Sequence, residues 1–113
     1  MKVGIDLVEH KDIVNKDDRF IKRVLSENEL TYYKTISNPK RRVEYLASRF
    51  AVKEAVRKCY ETAVPFKDIE VENKKNGAPL ISVKNKSEEL QISLSHTDNY
   101  SIAIVILLIN DDD

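Results

Sequence analysis

Hydrophobic and polar residues alternate at the start of the chain and then change to a helical spacing. Strict alternation in residues 2–8 predicts a strand. Between about residues 17 and 36 the apolar positions predict one helix or two short ones, and residues 37–39 (Ser-Asn-Pro) interrupt that pattern. Residues 40–62 contain no glycine or proline and are apolar on more than one face. They predict a long, largely buried helix.

After Pro65 the spacing becomes that of strands. Asn76-Gly77 is a strong hairpin signal, because both residues tolerate a positive φ. We also expect a helical turn at 87–90 and a hairpin connection at 96–99. The strands predicted here are 69–72, 79–83, 91–95 and 100–109. Strand, helices and further strands predict an α+β fold in which an antiparallel sheet packs with a long buried helix.

Length and charge limit the organisation of the chain. With 113 residues we expect a single domain, 1–113, because two domains would leave neither half with enough core. Basic and acidic residues balance at 19 each, so the net charge indicates no particular partner. We expect neither nucleic acid nor a membrane as partner. The longest apolar run, 102–109, is far shorter than the roughly 20 residues that span a bilayer, and it predicts a buried strand.

Cysteine usage and the N-terminal sequence indicate the compartment, and the C-terminal residues indicate a tail. The one cysteine, Cys59, excludes an internal disulfide and is consistent with a reducing environment. No charged leader followed by an apolar segment opens the chain, so we expect no signal peptide and a cytoplasmic protein. The three aspartates at 111–113 predict a solvated tail.

A carboxylate interrupts an apolar stripe of the long helix. Val43, Ala47, Phe50 and Glu54 follow at steps of four, three and four and therefore share one face. A glutamate on such a face needs a partner, because an unpaired buried charge is costly. Lys58, one turn later, supplies one interpretation, a simple ion pair along the helix. The other interpretation is a functional carboxylate, and the spacing leaves both open.

Asp6 is the second unusual carboxylate. Aspartate is disfavoured in strands, and Gly4 on the same face permits another group to approach closely. One interpretation is an aspartate that caps a turn at the strand end. In the other, Asp6 and Glu54 together hold a hard cation, since Mg²⁺ is commonly bound by one or two carboxylates and phosphate oxygens.

Several kinds of active site are excluded by the residues present. Ser95 and His96 suggest a nucleophile, but no G-x-S-x-G motif surrounds them. Two glycines are too few for a Walker A loop or a G-x-G-x-x-G motif. One cysteine and two histidines exclude an ordinary zinc site.

Five ordered segments resemble the bacterial holo-acyl-carrier-protein synthases, a short-chain class of 4′-phosphopantetheinyl transferase. The resemblance covers nearly the whole chain, and its most specific block is the R-F-A-x-K-E-A part of the long helix. The matching segments are Gly4-Ile5-Asp6-Leu7-Val8-Glu9, Arg19-Phe20 with Arg23-Val24-Leu25 and Glu29, residues 45–55 (YLASRFAVKEA) with Lys58, Asn76-Gly77-Ala78-Pro79, and Ile92-Ser93-Leu94-Ser95-His96-Thr97.

This resemblance implies a reaction and a set of site residues. A serine of an apo acyl carrier protein attacks the β-phosphorus of coenzyme A, and 3′,5′-ADP leaves. Asp6 and Glu54 are implied as Mg²⁺ ligands and, with Lys58, as the catalytic set; the proton acceptor is either Glu54 or a metal-bound water. The resemblance also implies a homotrimer with coenzyme A between subunits. Implied for coenzyme A binding are Arg49, Lys58, Gly77, Pro79, Ser95 and His96, and for carrier-protein docking Arg19, Lys22 and Arg23.

Two positions depart from the family pattern. Asp12 stands where the family usually has an arginine that holds the acidic carrier protein, and Ser48 replaces a frequent glycine. Two other functions fit part of the sequence. A two-carboxylate phosphodiesterase would use water as nucleophile and need no carrier protein. A non-catalytic nucleotide-binding or assembly domain would not need Asp6 and Glu54.

Overall fold

The computed structural model describes residues 1–109 and has the predicted α+β architecture. Strands β1, β5 and β4 form an antiparallel sheet in that order, and β2 and β3 form a separate antiparallel hairpin. Single 3₁₀ turns follow β1 and precede β2. The elements are β1 Lys2–Glu9, α1 Asp18–Val24, α2 Glu27–Thr35, α3 Pro39–Arg57, β2 Ile69–Asn73, β3 Pro79–Val83, β4 Glu89–His96 and β5 Tyr100–Leu108.

Each of the three helices begins at a capping side chain. Asp17 accepts a hydrogen bond from the backbone of the first turn of α1. Ser26 and Glu29 form a capping box that starts α2, so the region 17–36 forms two helices. Asn38 caps α3, and Pro39 occupies its first turn, where a missing N–H costs nothing.

Two predicted boundaries are wrong. Helix α3 ends at Arg57 instead of near residue 62, and the next residue, Lys58, reaches across to the Ile5 carbonyl of β1. The helical turn predicted at 87–90 is absent, since Glu89 and Leu90 already pair with β5. Both outcomes depend on pairing and packing beyond the local sequence.

Helix α3 lies against the inner face of the three-stranded sheet. Small residues on the helix, Ala47, Ala51 and Ala55, are fully buried. Gly4 of β1 makes the closest approach, because a Cβ atom built there would lie 1.9 Å from the backbone oxygen of Ala55. The close approach expected from Gly4 is therefore confirmed, and the partner is the helix backbone.

The outer face of β1 and β5 in the same sheet is apolar and exposed within the single chain, whereas the outward residues of β4 are polar. Strand β1 alternates, so that Gly4 and Val8 are buried and the intervening apolar side chains point outward. The prediction that the 102–109 run is a buried strand is only half right, because β5 is buried on alternate residues. The exposed apolar side chains of the face include Val3, Ile5, Leu7, Ile102, Ile104 and Leu108.

No helix within residues 1–109 is long and apolar enough to cross a membrane. The predicted solvated tail, 111–113, lies outside the described residues.

The approach of β1 to α3 gives a stability prediction. Gly4→Ala forces a methyl group into the Ala55 carbonyl, so we expect it to lower the free energy of unfolding by at least about 3 kcal/mol, the upper range for overpacking. Gly77→Ala is the control. Gly77 has φ of +85° and no neighbour within 4 Å of a built Cβ, so only about 1 kcal/mol of backbone strain is expected. Urea unfolding at fixed protein concentration measures both, and equal losses would contradict the packing argument.

Candidate active site

Asp6 lies on the helix-facing side of β1, between the buried residues Gly4 and Val8. Its side chain is 19% exposed. The Lys58 ammonium donates to the Ile5 carbonyl at 2.6 Å and lies 3.4 Å from Asp6 Oδ1. Burial raises the pKa of Asp6, and the charge and hydrogen bond of Lys58 oppose that rise. Asp6 is therefore a partly buried carboxylate whose negative charge Lys58 favours.

Glu54 is carried by the last turn of α3, one turn before Lys58. Its partner is Arg57, whose Nη1 lies 3.3 Å from Glu54 Oε1. The helix-face ion pair with Lys58 is not formed, because Lys58 follows the helix end and reaches β1 instead. The structure thus brings Asp6 against the helix turn that also carries Glu54.

The donor set fits a magnesium ion that keeps several non-protein ligands. Within residues 1–109 there is no group of three or more His, Cys, Asp or Glu side chains that could hold a metal ion. The two carboxylates singled out from the sequence, Asp6 and Glu54, lie on β1 and on the last turn of α3. Mg²⁺ is bound in this way in many phosphate-handling sites, with the remaining positions taken by water and phosphate oxygens.

A cavity of about 420 Å³ opens beside Glu54, and we call it the basic cavity. The Arg57 guanidinium lies 4.4 Å from the centre of the Phe66 ring, and that of Arg23 lies 5.8 Å from it. Three cations beside one carboxylate suit a ligand with several negative charges. The lining residues are Arg23, Phe50, Glu54, Arg57, Pro65, Phe66 and Lys67.

Two of these cations were not among the sequence candidates. Arg57 follows Glu54 by three residues, a spacing that could have identified it as a neighbour. Lys67 lies in the 3₁₀ turn before β2, and only the tertiary fold brings it to Glu54.

A second cavity, of about 150 Å³, joins Arg49 to His96, and we call it the Arg49 cavity. Arg49 is 8% exposed, its guanidinium lies 4.6 Å from the Tyr45 ring centre, and its Nε has no hydrogen-bond partner within residues 1–109. Burial raises the pKa of Tyr45 to about 12, so its hydroxyl stays protonated. The cavity is lined by Tyr32, Arg41, Glu44, Tyr45, Ser48, Arg49, Asn73 and His96.

The other residues expected to bind coenzyme A are divided between two places. Ser95 and His96 line an open, mostly apolar pocket with Leu7, Thr97, Tyr100 and Ile102. Pro79 pairs with Asn73, which lines the Arg49 cavity, so β3 lies next to it. Gly77 lies in the β2–β3 turn and lines none of these cavities.

Helix α1 presents the docking residues predicted from the sequence. Arg19, Lys22 and Arg23 are exposed. Arg19 and Arg23 line a groove together with Phe20, whose ring lies 5.7 Å from the Arg23 guanidinium. Because Arg23 also lines the basic cavity, it connects this surface to Glu54. Asp12 is exposed in the 3₁₀ turn after β1.

Comparison with known proteins identifies one family. Residues 2–105 match the model of the 4′-phosphopantetheinyl transferase superfamily. The chain is 38% identical to a holo-[acyl-carrier-protein] synthase of Anoxybacillus flavithermus, with 93% of this chain and 92% of that protein covered. It is 44% identical to the protein of that name from Streptococcus agalactiae, with 92% of each covered.

Solved structures of that name share the fold. A holo-(acyl-carrier-protein) synthase from Bacillus anthracis, in complex with coenzyme A (3′,5′-ADP), superimposes with a TM-score of 0.86 at 34% identity and 94% coverage of both chains. The Helicobacter pylori holo-[acyl-carrier-protein] synthase in complex with coenzyme A gives a TM-score of 0.78 at 28% identity, covering 94% of this chain and 99% of that one.

Proposed function

Since this chain belongs to the 4′-phosphopantetheinyl transferase superfamily and is a transferase of that family, we propose that it moves 4′-phosphopantetheine from coenzyme A to a serine of an apo acyl carrier protein. The products are holo acyl carrier protein and 3′,5′-ADP. We further propose that residues 1–113 act as one domain, in the cytoplasm, and supply holo carrier protein for fatty acid synthesis.

The observation that carries this proposal is the placement of two carboxylates at the end of α3: Asp6 lies against Lys58, and Glu54 lines the basic cavity. Phosphoryl-type transfer depends on positioning and charge stabilisation more than on covalent chemistry by the protein. Lys58 and Arg57 supply positive charge next to the two carboxylates. A pyrophosphate bound there would meet cations that offset its charge.

In the proposed site Asp6 and Glu54 hold Mg²⁺. When bound, the ion neutralises phosphate charge and stabilises the leaving oxygen. Lys58 is the third catalytic residue in this proposal, as a cation at the phosphates. Its bond to the Ile5 carbonyl fixes its ammonium next to Asp6.

We propose that the nucleotide end of coenzyme A occupies the Arg49 cavity. Among residues 1–109 the buried Arg49 Nε has no hydrogen-bond partner, and this costs free energy unless a ligand supplies an acceptor. Ser95 and His96 extend this site along β4, and Pro79 lies beside it through its pairing with Asn73. Gly77, in the turn of the same hairpin, is assigned to coenzyme A by the family resemblance alone. The two complexes with coenzyme A share the fold in which these residues stand.

We also propose that the chain forms a homotrimer with coenzyme A bound between subunits. The exposed outer face of the sheet supports this, because apolar residues of β1 pair directly with apolar residues of β5: Ile5 with Ile104, and Leu7 with Ile102. A contiguous apolar face of this kind is typical of an interface. The pocket at Ser95 and His96 borders this face through Leu7 and Ile102.

The transfer reaction is tested by mixing the protein with apo acyl carrier protein, coenzyme A and Mg²⁺. The expected result is a carrier protein whose mass increases by one phosphopantetheine. Hydrolysis of coenzyme A without modification of the carrier protein would favour a phosphodiesterase instead.

Removal of either proposed metal ligand tests the site in the same assay. We expect Asp6→Asn and Glu54→Gln to lower kcat by at least about 100-fold, because losing even a residue that only hydrogen-bonds to a metal ligand costs about 10- to 100-fold. Melting temperatures should change little, since both side chains are polar and partly exposed. Glu61→Gln, which neutralises an exposed charge beyond α3, is the control. Activity of both variants near that of the control would refute the metal assignment.

Sedimentation tests the assembly. Three chains of 13.0 kDa should sediment together at about 39 kDa. Ile104→Lys places a charge at the centre of the outer sheet face and should dissociate the assembly and reduce activity. Thr31→Lys, on the exposed surface of α2, should change neither. A stable, active wild-type monomer at micromolar concentration would contradict the trimer.

Carrier-protein docking is tested by charge reversal on α1. Arg19 lines the outer groove but not the basic cavity, so Arg19→Glu separates docking from chemistry. We expect a five- to tenfold higher KM for carrier protein, because exposed charges contribute on the order of 1 kcal/mol each. This increase in KM should become smaller at high salt, which screens exposed charges. Arg23→Glu should act in the same direction, but only Arg19→Glu is expected to leave the KM for coenzyme A nearly unchanged, because Arg23 also lines the basic cavity.

Two further variants complete this test. Asp12→Arg should lower the KM for an acidic carrier protein, since it replaces repulsion with attraction. Lys34→Glu, exposed at the end of α2, is the matched control. If Arg19→Glu and Arg23→Glu behave like Lys34→Glu, the docking surface lies elsewhere.

A further inference from the structure

His10 is buried at the end of β1, and both of its ring nitrogens are hydrogen bonded. It is 7% exposed. Nδ1 lies 3.0 Å from the Asp98 carbonyl oxygen, and Nε2 lies 2.8 Å from Ser101 Oγ. The ring therefore ties the start of the chain to the β4–β5 turn and to β5.

The partners of His10 fix the direction of these hydrogen bonds. A carbonyl oxygen only accepts, so Nδ1 carries a hydrogen and donates to Asp98. In the neutral ring Nε2 is then an acceptor, and the Ser101 hydroxyl donates to it. Ser101 Oγ also lies 3.3 Å from Ser48 Oγ, so the Ser48 hydroxyl can donate to Ser101. The result is a continuous polar network from the β4–β5 turn to α3.

One end of this network lies in the proposed coenzyme A site, and the other end lies close to it in the chain. Ser48 lines the Arg49 cavity, and so does His96, the last residue of β4. Thr97, next in the chain, lines the adjacent pocket with His96. Asp98, which His10 contacts, therefore lies two residues after His96.

His10 supplies the buried attachment of that turn. Its backbone N–H donates to the Asn99 carbonyl at 2.8 Å, and its ring holds Asp98. The side chain of Asp98 also pairs with Lys40 at 2.8 Å, but both groups are largely exposed, and such pairs contribute little. The hydrogen bond from Nδ1 is thus the side-chain contact expected to set the position of the turn.

We propose that His10 is a positioning residue for coenzyme A binding. Its Nδ1–H holds the turn after His96 in the conformation that the ligand requires. This inference rests on the proposed function, because it takes the Arg49 cavity and the pocket at His96 as the coenzyme A site. The positioning role of His10 does not follow from the family resemblance, because Ser48, which joins the network to α3, stands where the family often has glycine.

Two substitutions of His10 separate its ring nitrogens. In His10→Asn the side-chain amide nitrogen takes the place of Nδ1, and in His10→Gln it lies near the place of Nε2. His10→Asn therefore keeps the bond to Asp98 and loses the bond to Ser101, whereas His10→Gln does the reverse. Each variant loses one ring hydrogen bond, so their melting temperatures should be similar.

Coenzyme A affinity is measured directly by calorimetry and as KM in the transfer assay. We expect His10→Asn to stay within about twofold of wild type and His10→Gln to bind coenzyme A about five- to tenfold more weakly, the effect of one hydrogen bond. The KM for carrier protein and kcat at saturating coenzyme A should change by less than twofold. Ile69→Val, which removes one buried methylene from β2, is the control for a general loss of stability.

The outcomes distinguish this inference from the proposed function. Equal coenzyme A affinities of His10→Asn and His10→Gln, or a weakening that Ile69→Val reproduces, would overturn the positioning role. If the wild type binds coenzyme A with the expected order of variants but modifies no carrier protein, the positioning role stands and the proposed transfer fails. If the wild type does not bind coenzyme A, both are wrong.

Discussion

A buried ion pair between Lys53 and Glu29 is the interaction on which the helical half of the molecule depends. The Lys53 ammonium is fully buried and lies 2.6 Å from Glu29 Oε1. It also donates to the carbonyls of Val24 and Phe66, while Glu29 accepts from the Val71 backbone. Burial lowers the pKa of Lys53, and Glu29 opposes that change. A charge this deep is tolerated only when its hydrogen bonds are satisfied, so this cluster fixes the end of α1, the start of α2 and the middle of β2 relative to α3.

The ion pair also explains where the candidate site lies. Lys53 and Glu54 are adjacent on α3 and point about 100° apart, so burying Lys53 turns Glu54 toward the edge of the core. Phe66 contacts both the ion pair and the candidate site. Its carbonyl accepts a hydrogen bond from Lys53, and its ring lies against Arg57, the partner of Glu54. The basic cavity thus adjoins this buried, hydrogen-bonded cluster, which gives the support that a catalytic carboxylate needs.

The sequence predicted the features that depend on local patterns of residues. Alternation located β1, and the two unusual carboxylates, Asp6 and Glu54, were identified before their surroundings were known; the family resemblance then assigned their roles. The end of α3 and the start of β4 were missed, because they depend on contacts that only the tertiary fold supplies. The pairing of Glu54 with Arg57 was also missed, although their spacing of three residues on one helix could have indicated it. His10 gave no signal either, since its partners lie about 90 residues away in the sequence.

Strand β1 contributes both to the candidate site and to the proposed subunit contact. The inward face of β1 carries Gly4, which admits the helix backbone, and Asp6, which meets Lys58. Its outward face carries the apolar residues of the proposed subunit contact. Because side chains alternate along a strand, a slip of one residue would bury the apolar face and expel Asp6. Gly4 prevents that slip, since no larger residue fits against Ala55. The glycine that permits close packing therefore also fixes the register on which both the site and the outer face depend.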